Sequence, residues 1–252
     1  TPMKSDAVST CEICGGRWYI PQPPSDEYPM GSVRQCQCVQ LQQRRQRLAE
    51  LMKISGLTAE AVRAWSFETF HPEQALADPA AQRHLSDVMV ACQAFARAPR
   101  GWLMLSGPYG SGKSHLAYAT AGAYLRAGHA VYISTVPDLL EALRRGFNHK
   151  GVDSYERRFD TVCRAELLVL DDLGAQSDSP WATEKLYQII DFRYRLRLPL
   201  MVTTNVNHFA PGGRLEPRLL SRLLDGAHLP DGFSRVHLLA VGDYRQRTPR
   251  RE

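Results

Sequence analysis

The sequence predicts an α/β protein: a parallel sheet between helical layers, with a phosphate-binding loop after its first strand and a small zinc-binding module in front. Three observations carry this prediction. From about residue 101, apolar runs of strand length alternate with helical patterns, and that alternation buries a parallel sheet on both faces. The segment Gly107-Pro108-Tyr109-Gly110-Ser111-Gly112-Lys113-Ser114 stands between one such run and one such helix. Four of the six cysteines fall in the first 38 residues, as two close pairs.

The elements follow in order. Residues 1–38 form the cysteine module. Its inner stretch carries Pro21, Pro23, Pro24, Pro29 and Gly31 and is expected to have little regular structure. Residues 39–57 are a linker, with a basic amphipathic helix over 39–54 whose apolar positions are Leu41, Leu48, Leu51 and Met52, ending before Gly56. A second domain spans 58–245, and a basic tail follows over 246–252. A helix is expected over 79–97, where Leu85, Val88, Met89, Cys92, Phe95 and Ala96 recur at helical spacing. Strands are expected at 101–106, 130–134, 166–171, 199–204 and 235–241, and helices at 114–127, 137–146 and 180–197. Pro137 and Pro180 suit a first helical turn, and Ser179 is a natural cap. Cys92, in a helical pattern, and Cys163, just before a strand, read as buried structural thiols.

Composition is that of an ordinary globular chain, with 44% apolar and 23% charged residues among 252. No apolar run approaches the roughly 18 residues a membrane helix needs, and the polar N-terminus shows no leader, so a cytoplasmic protein with no membrane partner is expected. The net charge of +5 is mildly basic. It is concentrated in Arg44-Arg45-Gln46-Arg47, Arg144-Arg145, Arg157-Arg158 and 245–251, each either a solvated face or part of a nucleic-acid patch.

The glycine-rich segment has a specific chemistry. Its glycines let consecutive amides turn inward on an anion, Lys113 adds a point charge, and the following helix adds its positive end. Gly107 to Ser114 with His115 therefore form the expected ATP-binding set, with the Ser114 hydroxyl on Mg²⁺. A chance glycine-rich turn is the competing reading, and the strand–loop–helix context disfavours it. The run Leu167-Leu168-Val169-Leu170-Asp171-Asp172 ends in paired carboxylates, with Asp171 58 residues after Lys113. Parallel sheets bind ligands beyond the carboxyl ends of their strands. Asp171 is thus expected in the Mg²⁺ shell beside Ser114, and Asp172 beside the attacking water. Asn205, at the end of the next strand, could hold that water or the γ-phosphate. Beyond it, Leu215 to Leu224 reads as an amphipathic helix with Arg218 and Arg222 on one face, either solvated or projected at a neighbouring subunit's phosphoryl group.

Cys11-x-x-Cys14, followed by Gly15-Gly16, and Cys36-x-Cys38 supply four thiolates to a segment too short to bury a core, and such a set suits tetrahedral Zn²⁺. Two disulfides or an iron–sulfur cluster are the alternatives, and the one-residue spacing of the second pair departs from the commoner pattern.

Together these residues resemble the AAA+ ATPases, in the clade of the DnaC and DnaI replicative helicase loaders and the transposition ATPase IstB. The resemblance covers about residues 60–245 and rests on Gly107 to Ser114, Leu168 to Gly174, Thr203-Thr204-Asn205, Leu219-Leu220-Ser221-Arg222-Leu223 and Gly242-Asp243-Tyr244-Arg245. It implies a sensor role for Asn205, a finger role across a subunit interface for Arg222 with Arg218 second, and a nucleotide contact for Arg245. It also implies ATP hydrolysis and assembly into an oligomer. The segment after the last strand is too short for the usual helical lid, as in loaders of this clade. Residues 138–160, where related loaders carry an extra helix facing the oligomer's channel, hold Arg144, Arg145, Phe147, Lys150, Tyr155, Arg157 and Arg158, a mixture suited to single-stranded DNA. The cysteine module resembles the adaptor by which DnaI-type loaders dock on a hexameric helicase, whereas IstB-like proteins usually begin with a helical region. A helicase loader is the expected function, with an IstB-like transposition ATPase as the alternative. A small-molecule phosphotransferase and an inactive zinc-dependent adaptor are weaker readings.

Overall fold

The computed structural model describes residues 11–72, 78–147, 155–176, 179–205, 215–225 and 234–239, apart from the side chains at 44, 45, 47, 48, 50, 51, 53, 54, 234 and 235. Expectations that fall on Lys150, Arg245 and the tail 246–252 lie outside the described residues. The chain divides into two compact units, at Glu50 and Leu51.

The first unit is built around the cysteines. Strands β1 (Tyr19–Gln22) and β2 (Ser32–Gln35) pair antiparallel, Tyr19 opposite Gln35 and Gln22 opposite Ser32. This corrects the expectation of little regular structure. Each strand of a two-stranded ribbon is an edge, so Pro21 can sit in β1 where no ladder donor is needed. Helix α1 (Gln37–Ser55) begins directly after Cys36, two residues earlier than the sequence suggested. Leu41, expected on an apolar face, is 59% exposed.

The second unit opens with α2 (Ala59–Ala64), capped by Thr58, and a 3₁₀ turn at Phe67–Thr69. Neither was visible as a pattern. Helix α3 (Pro79–Arg97) starts where Asp78 accepts from the amides of Ala80 and Ala81, and it buries Leu85, Val88, Cys92, Phe95 and Ala96. Then come β3 (Trp102–Ser106), α4 (Lys113–Arg126), β4 (Val131–Thr135), α5 (Val136–Gly146), α6 (Tyr155–Arg164), β5 (Leu167–Leu173), α7 (Pro180–Arg195), β6 (Leu200–Thr204), α8 (Pro217–Asp225) and β7 (Ser234–Leu238). Ser179 caps α7 as expected, accepting from the Ala182 amide.

Among the described residues the sheet has five strands in the order β4-β5-β6-β3-β7, all parallel. Leu105 of β3 lies opposite Thr203 of β6 and His237 of β7. One face packs Trp102, Met104, Leu168, Leu170 and Val202 against Leu139 and Leu143 of α5, Leu186 and Ile189 of α7, and Leu219 and Leu223 of α8. Successive strand residues alternate faces, so Leu103, Leu105, Val169 and Met201 turn toward the layer of α3 and α4. Burying a side chain of this size contributes about 1.5–3 kcal/mol, and the strand runs are apolar because both faces are covered.

Cys163 lies in the last turn of α6, just ahead of β5, and is buried as expected, like Cys92 in α3. That turn is held by Arg193 of α7, which is fully buried and donates to the carbonyls of Val162, Cys163 and Pro199. Burial pulls its pKa down to about 10. Among the described residues no helix is long and apolar enough to cross a membrane.

Candidate nucleotide and metal sites

The loop after β3 is pinned at its start, where the Gly107 amide donates to the Thr204 carbonyl over 3.2 Å. A side chain at Gly107 would lie 2.5 Å from the Leu239 carbonyl oxygen, so glycine is required by close approach. Gly112 caps α4 with φ of 89° and faces the Phe70 ring, which a Cβ would meet at 2.8 Å. It is therefore fixed as glycine twice over, by its left-handed backbone and by its neighbour. Lys113 is 5% exposed, and its ammonium donates to the Pro108 carbonyl at 2.7 Å and the Ser111 hydroxyl at 3.3 Å. A buried cation held on its own loop stands ready for an anion in the same cradle.

The two carboxylates are placed differently. Asp171 is 5% exposed and is bonded by the hydroxyls of Thr203 and Ser114. Burial pushes its pKa up, and those two hydroxyls and Lys113 oppose that rise. Asp172 has φ of 58°, at a register shift between β5 and β6 that falls between Leu170 and Leu173. Its amide donates to the Thr203 hydroxyl at 2.9 Å, and the Asn205 amide donates to its Oδ1. A bulge with left-handed backbone re-aims a side chain at a modest cost, and such strain persists where surrounding bonds hold it.

Thr203 thus gives its one hydroxyl proton to Asp171 and accepts the Asp172 amide, tying both carboxylates to β6. Replacing it with valine keeps the shape and removes both bonds. Thr203→Val is expected to lower the apparent affinity for Mg²⁺·ATP at least tenfold and Thr203→Ser to preserve it, since each lost buried bond costs about 1–3 kcal/mol; titration of nucleotide binding against magnesium checks this.

A cavity of about 410 Å³ joins these parts, lined by Trp65, Phe70, the loop from Tyr109 to His115, Asp172 and Asn205. That volume falls in the usual range for a small-molecule site. Asp171 sits behind its wall, on Ser114. The sequence missed Trp65 and Phe70. Trp65 packs edge-on to Tyr118 with ring centres 4.5 Å apart, and His115 packs edge-on to Phe70 at 5.2 Å. His115 Nε2 lies 2.8 Å from the Ser66 carbonyl and 3.2 Å from the Thr69 hydroxyl, which clasps the 3₁₀ turn onto α4. Burial pushes the His115 pKa down, so the ring is neutral at pH 7 with Nε2 as donor to Ser66. The only trace of this wall in the sequence is the aromatic spacing of Trp65, Phe67 and Phe70.

Arg218 and Arg222 are not drawn into this cavity. Arg222 pairs through Nε with Asp191 at 3.2 Å and lies 4.8 Å over the Tyr194 ring. Arg218 pairs with Glu216 at 2.6 Å and lies over Tyr187.

In the first unit, the sulfurs of Cys11, Cys14, Cys36 and Cys38 all lie within 4.8 Å of one another. Cys11 and Cys36 are 3.8 Å apart and Cys14 and Cys38 3.5 Å, too far for disulfides, and all four thiols are free. Tetrahedral zinc with bonds of about 2.3 Å sets its sulfurs about 3.8 Å apart, so the cluster fits the ion. The short second spacing is accommodated because Cys36 ends the hairpin and Cys38 lies in the first turn of α1. The Gly15 amide bonds the Cys11 carbonyl at 2.7 Å, closing the knuckle.

Comparison with known proteins places this architecture. The family model described as IstB-like ATP binding protein matches residues 36–225. The replicative helicase loader DnaC of Escherichia coli K12 is 32% identical over 126 residues, which is 50% of this chain and 51% of DnaC. The match thus spans about half the length of the Escherichia coli DnaC. YdaV of the same organism, an uncharacterised protein, is 28% identical over 193 residues, 75% of this chain and 73% of YdaV. Among solved structures, a DnaC helicase loader has the same fold with a TM-score of 0.56 at 22% identity, covering 71% of this chain and 99% of that one. A DnaI structure matches with a TM-score of 0.54 at 19% identity, over 77% and 99% of the two chains.

Proposed function

The chain belongs to the family of IstB-like ATP binding proteins, and from that premise we propose that it is an ATP-dependent loader of a replicative ring helicase. Its AAA+ unit assembles with copies of itself, hydrolyses ATP between neighbouring protomers and grips single-stranded DNA, while the cysteine module docks on the helicase. The observation that carries this reading is the pairing of a complete phosphate cradle with a cysteine-bound unit that leaves large apolar groups in solvent.

In the nucleotide site, the loop amides and Lys113 hold the phosphates. Ser114 and Asp171 would hold Mg²⁺, which would supply charge neutralisation to the phosphates. Asp172, steadied by Asn205, orients and deprotonates the attacking water. The oxygen–phosphorus bond to water forms as the bond to the ADP oxygen breaks. Arg222 of a neighbouring protomer stabilises the charge that develops on the transferring group. Trp65 and Phe70 line the same cavity, and their rings would take the nucleoside.

Support for DNA contact comes from α5, α6 and α7. The Phe147 and Tyr155 rings stack with centres 4.5 Å apart, Arg144 lies 4.9 Å over Trp181, and Lys185 lies 5.5 Å over Tyr155. Phe147 is 54% exposed. Stacked rings flanked by cations suit the bases and phosphates of a single strand. Support for docking comes from Met30, Val33, Ile13 and Tyr28, all more than half exposed on the cysteine-bearing unit.

The family description favours one alternative, a transposition ATPase that remodels double-stranded DNA and recruits a transposase. Size-exclusion chromatography of the chain with the ring helicase of its host separates the two. The full chain is expected to co-elute with the helicase, and a form lacking residues 1–55 is expected to elute apart. Equal binding by both forms, or none by either, would refute the adaptor role.

A further inference from the structure

We infer that Asp191 is a positioning residue for Arg222, holding its guanidinium for use on the neighbouring protomer's nucleotide; this rests on the finger role proposed above. Asp191 lies in the fourth turn of α7, and its carboxylate is only 17% exposed. Its two oxygens divide the work. Oδ2 holds Arg195 Nε at 2.9 Å, within the same helix, and Oδ1 holds Arg222 Nε at 3.2 Å, across to α8. Tyr187, Asp191 and Tyr194, spaced by four and three residues, form one stripe on α7. Arg218 of α8 rests on the first ring and Arg222 on the last. Tyr194 is itself pinned, since its hydroxyl donates to Asp225 at the end of α8.

The chemistry of the contact favours presentation over simple packing. Asp191 takes Nε, the inner nitrogen of the guanidinium. The terminal pair, the edge that makes a two-point contact with a phosphoryl group, lies outside that bond, and the Tyr187 side chain adds a second hydrogen bond to the guanidinium that steadies it on the same stripe of α7. A guanidinium fixed by a carboxylate on one side and a ring below has fewer rotamers to lose when it meets an anion. The bond to Asp191 also strengthens its hold on its proton. Arg195 is 69% exposed and shares the same carboxylate, but it belongs to α7 alone and has no reach from α8.

Mixed assemblies test this. The first pairing is Lys113→Ala, which lacks a working cradle, with Arg222→Ala, which lacks a finger. Mixing them is expected to regain turnover, because the intact cradle of one protomer meets the intact finger of the other. If it does not, Arg222 does not act across the interface, and both the finger reading and this inference fall. With that control met, Asp191→Asn alone is expected to lower turnover by about 10- to 100-fold while ATP affinity stays within about twofold, the scale of a misplaced catalytic group. Mixed with Lys113→Ala it is expected to regain turnover, and mixed with Arg222→Ala it is not. Asp191→Glu restores part of the loss, and Arg195→Ala leaves turnover unchanged. Rescue of Asp191→Asn by Arg222→Ala would place the defect in its own cradle. Wild-type or raised turnover in Asp191→Asn would make the contact mere packing or a restraint. Either result overturns the inference and leaves the finger role of Arg222 standing.

Discussion

Arg222→Ala is expected to bind ATP within about twofold of the parent chain and to hydrolyse it about 10³-fold more slowly or worse, the loss typical of an arginine supplied to a phosphoryl-transfer site. The reason lies in where the structure puts this side chain. It is absent from the lining of its own protomer's cavity and is held on α7 by Asp191 and Tyr194. Removing it therefore takes nothing from the loop, Lys113, Ser114 or Asp171 of the same chain. In the finger role proposed above it removes only a charge offered to a neighbouring protomer, so ground-state binding is expected to be spared and the transition state is not. Steady-state turnover together with equilibrium binding of a slowly hydrolysed ATP analogue measures both. Equal loss of affinity and turnover would mean that Arg222 serves its own fold or its own cradle.

Metal removal is expected to have the second large effect, confined to the first unit. Zinc held by the four thiols would be the principal cross-link of a unit whose described regular structure is a hairpin of two four-residue strands and one helix. Structural zinc contributes about 10–16 kcal/mol to such units, far more than two short strands can supply. Chelation of the zinc followed by return of magnesium, or Cys14→Ser, is expected to unfold residues 11–36 and abolish helicase capture. The ATP affinity of the second unit is expected to be unchanged, because its cavity takes every lining residue from Trp65 onward. Elemental analysis of the purified chain is expected to find about one zinc per protomer. Iron in its place would overturn the ligand assignment, and loss of ATP binding on chelation would show that the two units are not independent.

How legible this was in the sequence differs from element to element, for physical reasons. Four strands of the sheet were readable to within a residue or two, because a doubly covered strand must be apolar throughout, as in Trp102–Ser106 and Leu200–Thr204; the last, expected to 241, ends at Leu238, and its expected final residues lie outside those described. The phosphate loop was readable because its chemistry fixes local spacing from Gly107 to Ser114. The hairpin was not, since four-residue strands containing Pro21 offer too few positions for alternation to register. Helix α6 was hidden for the opposite reason: Tyr155 to Arg164 is polar over most of its surface and buries only Val162 and Cys163. The aromatic wall depends on tertiary packing, because Phe70 reaches Gly112 and Trp65 reaches Tyr118 only after α2 and the 3₁₀ turn dock on α4. Nor does any pattern announce that Asp172 is left-handed, or that one hydroxyl, on Thr203, serves both carboxylates. Paired acids at a strand end were visible; the bulge that separates their tasks was not.

Turnover per protomer, followed at saturating magnesium and ATP as the chain is diluted, tests the shared site most directly. Since each cavity holds Lys113 and Asp172 but not Arg222, turnover is expected to fall toward zero as assemblies dissociate and to reach a plateau when they are restored. A rate per protomer that stays constant through dissociation would contradict the account, because each chain would then complete the reaction alone.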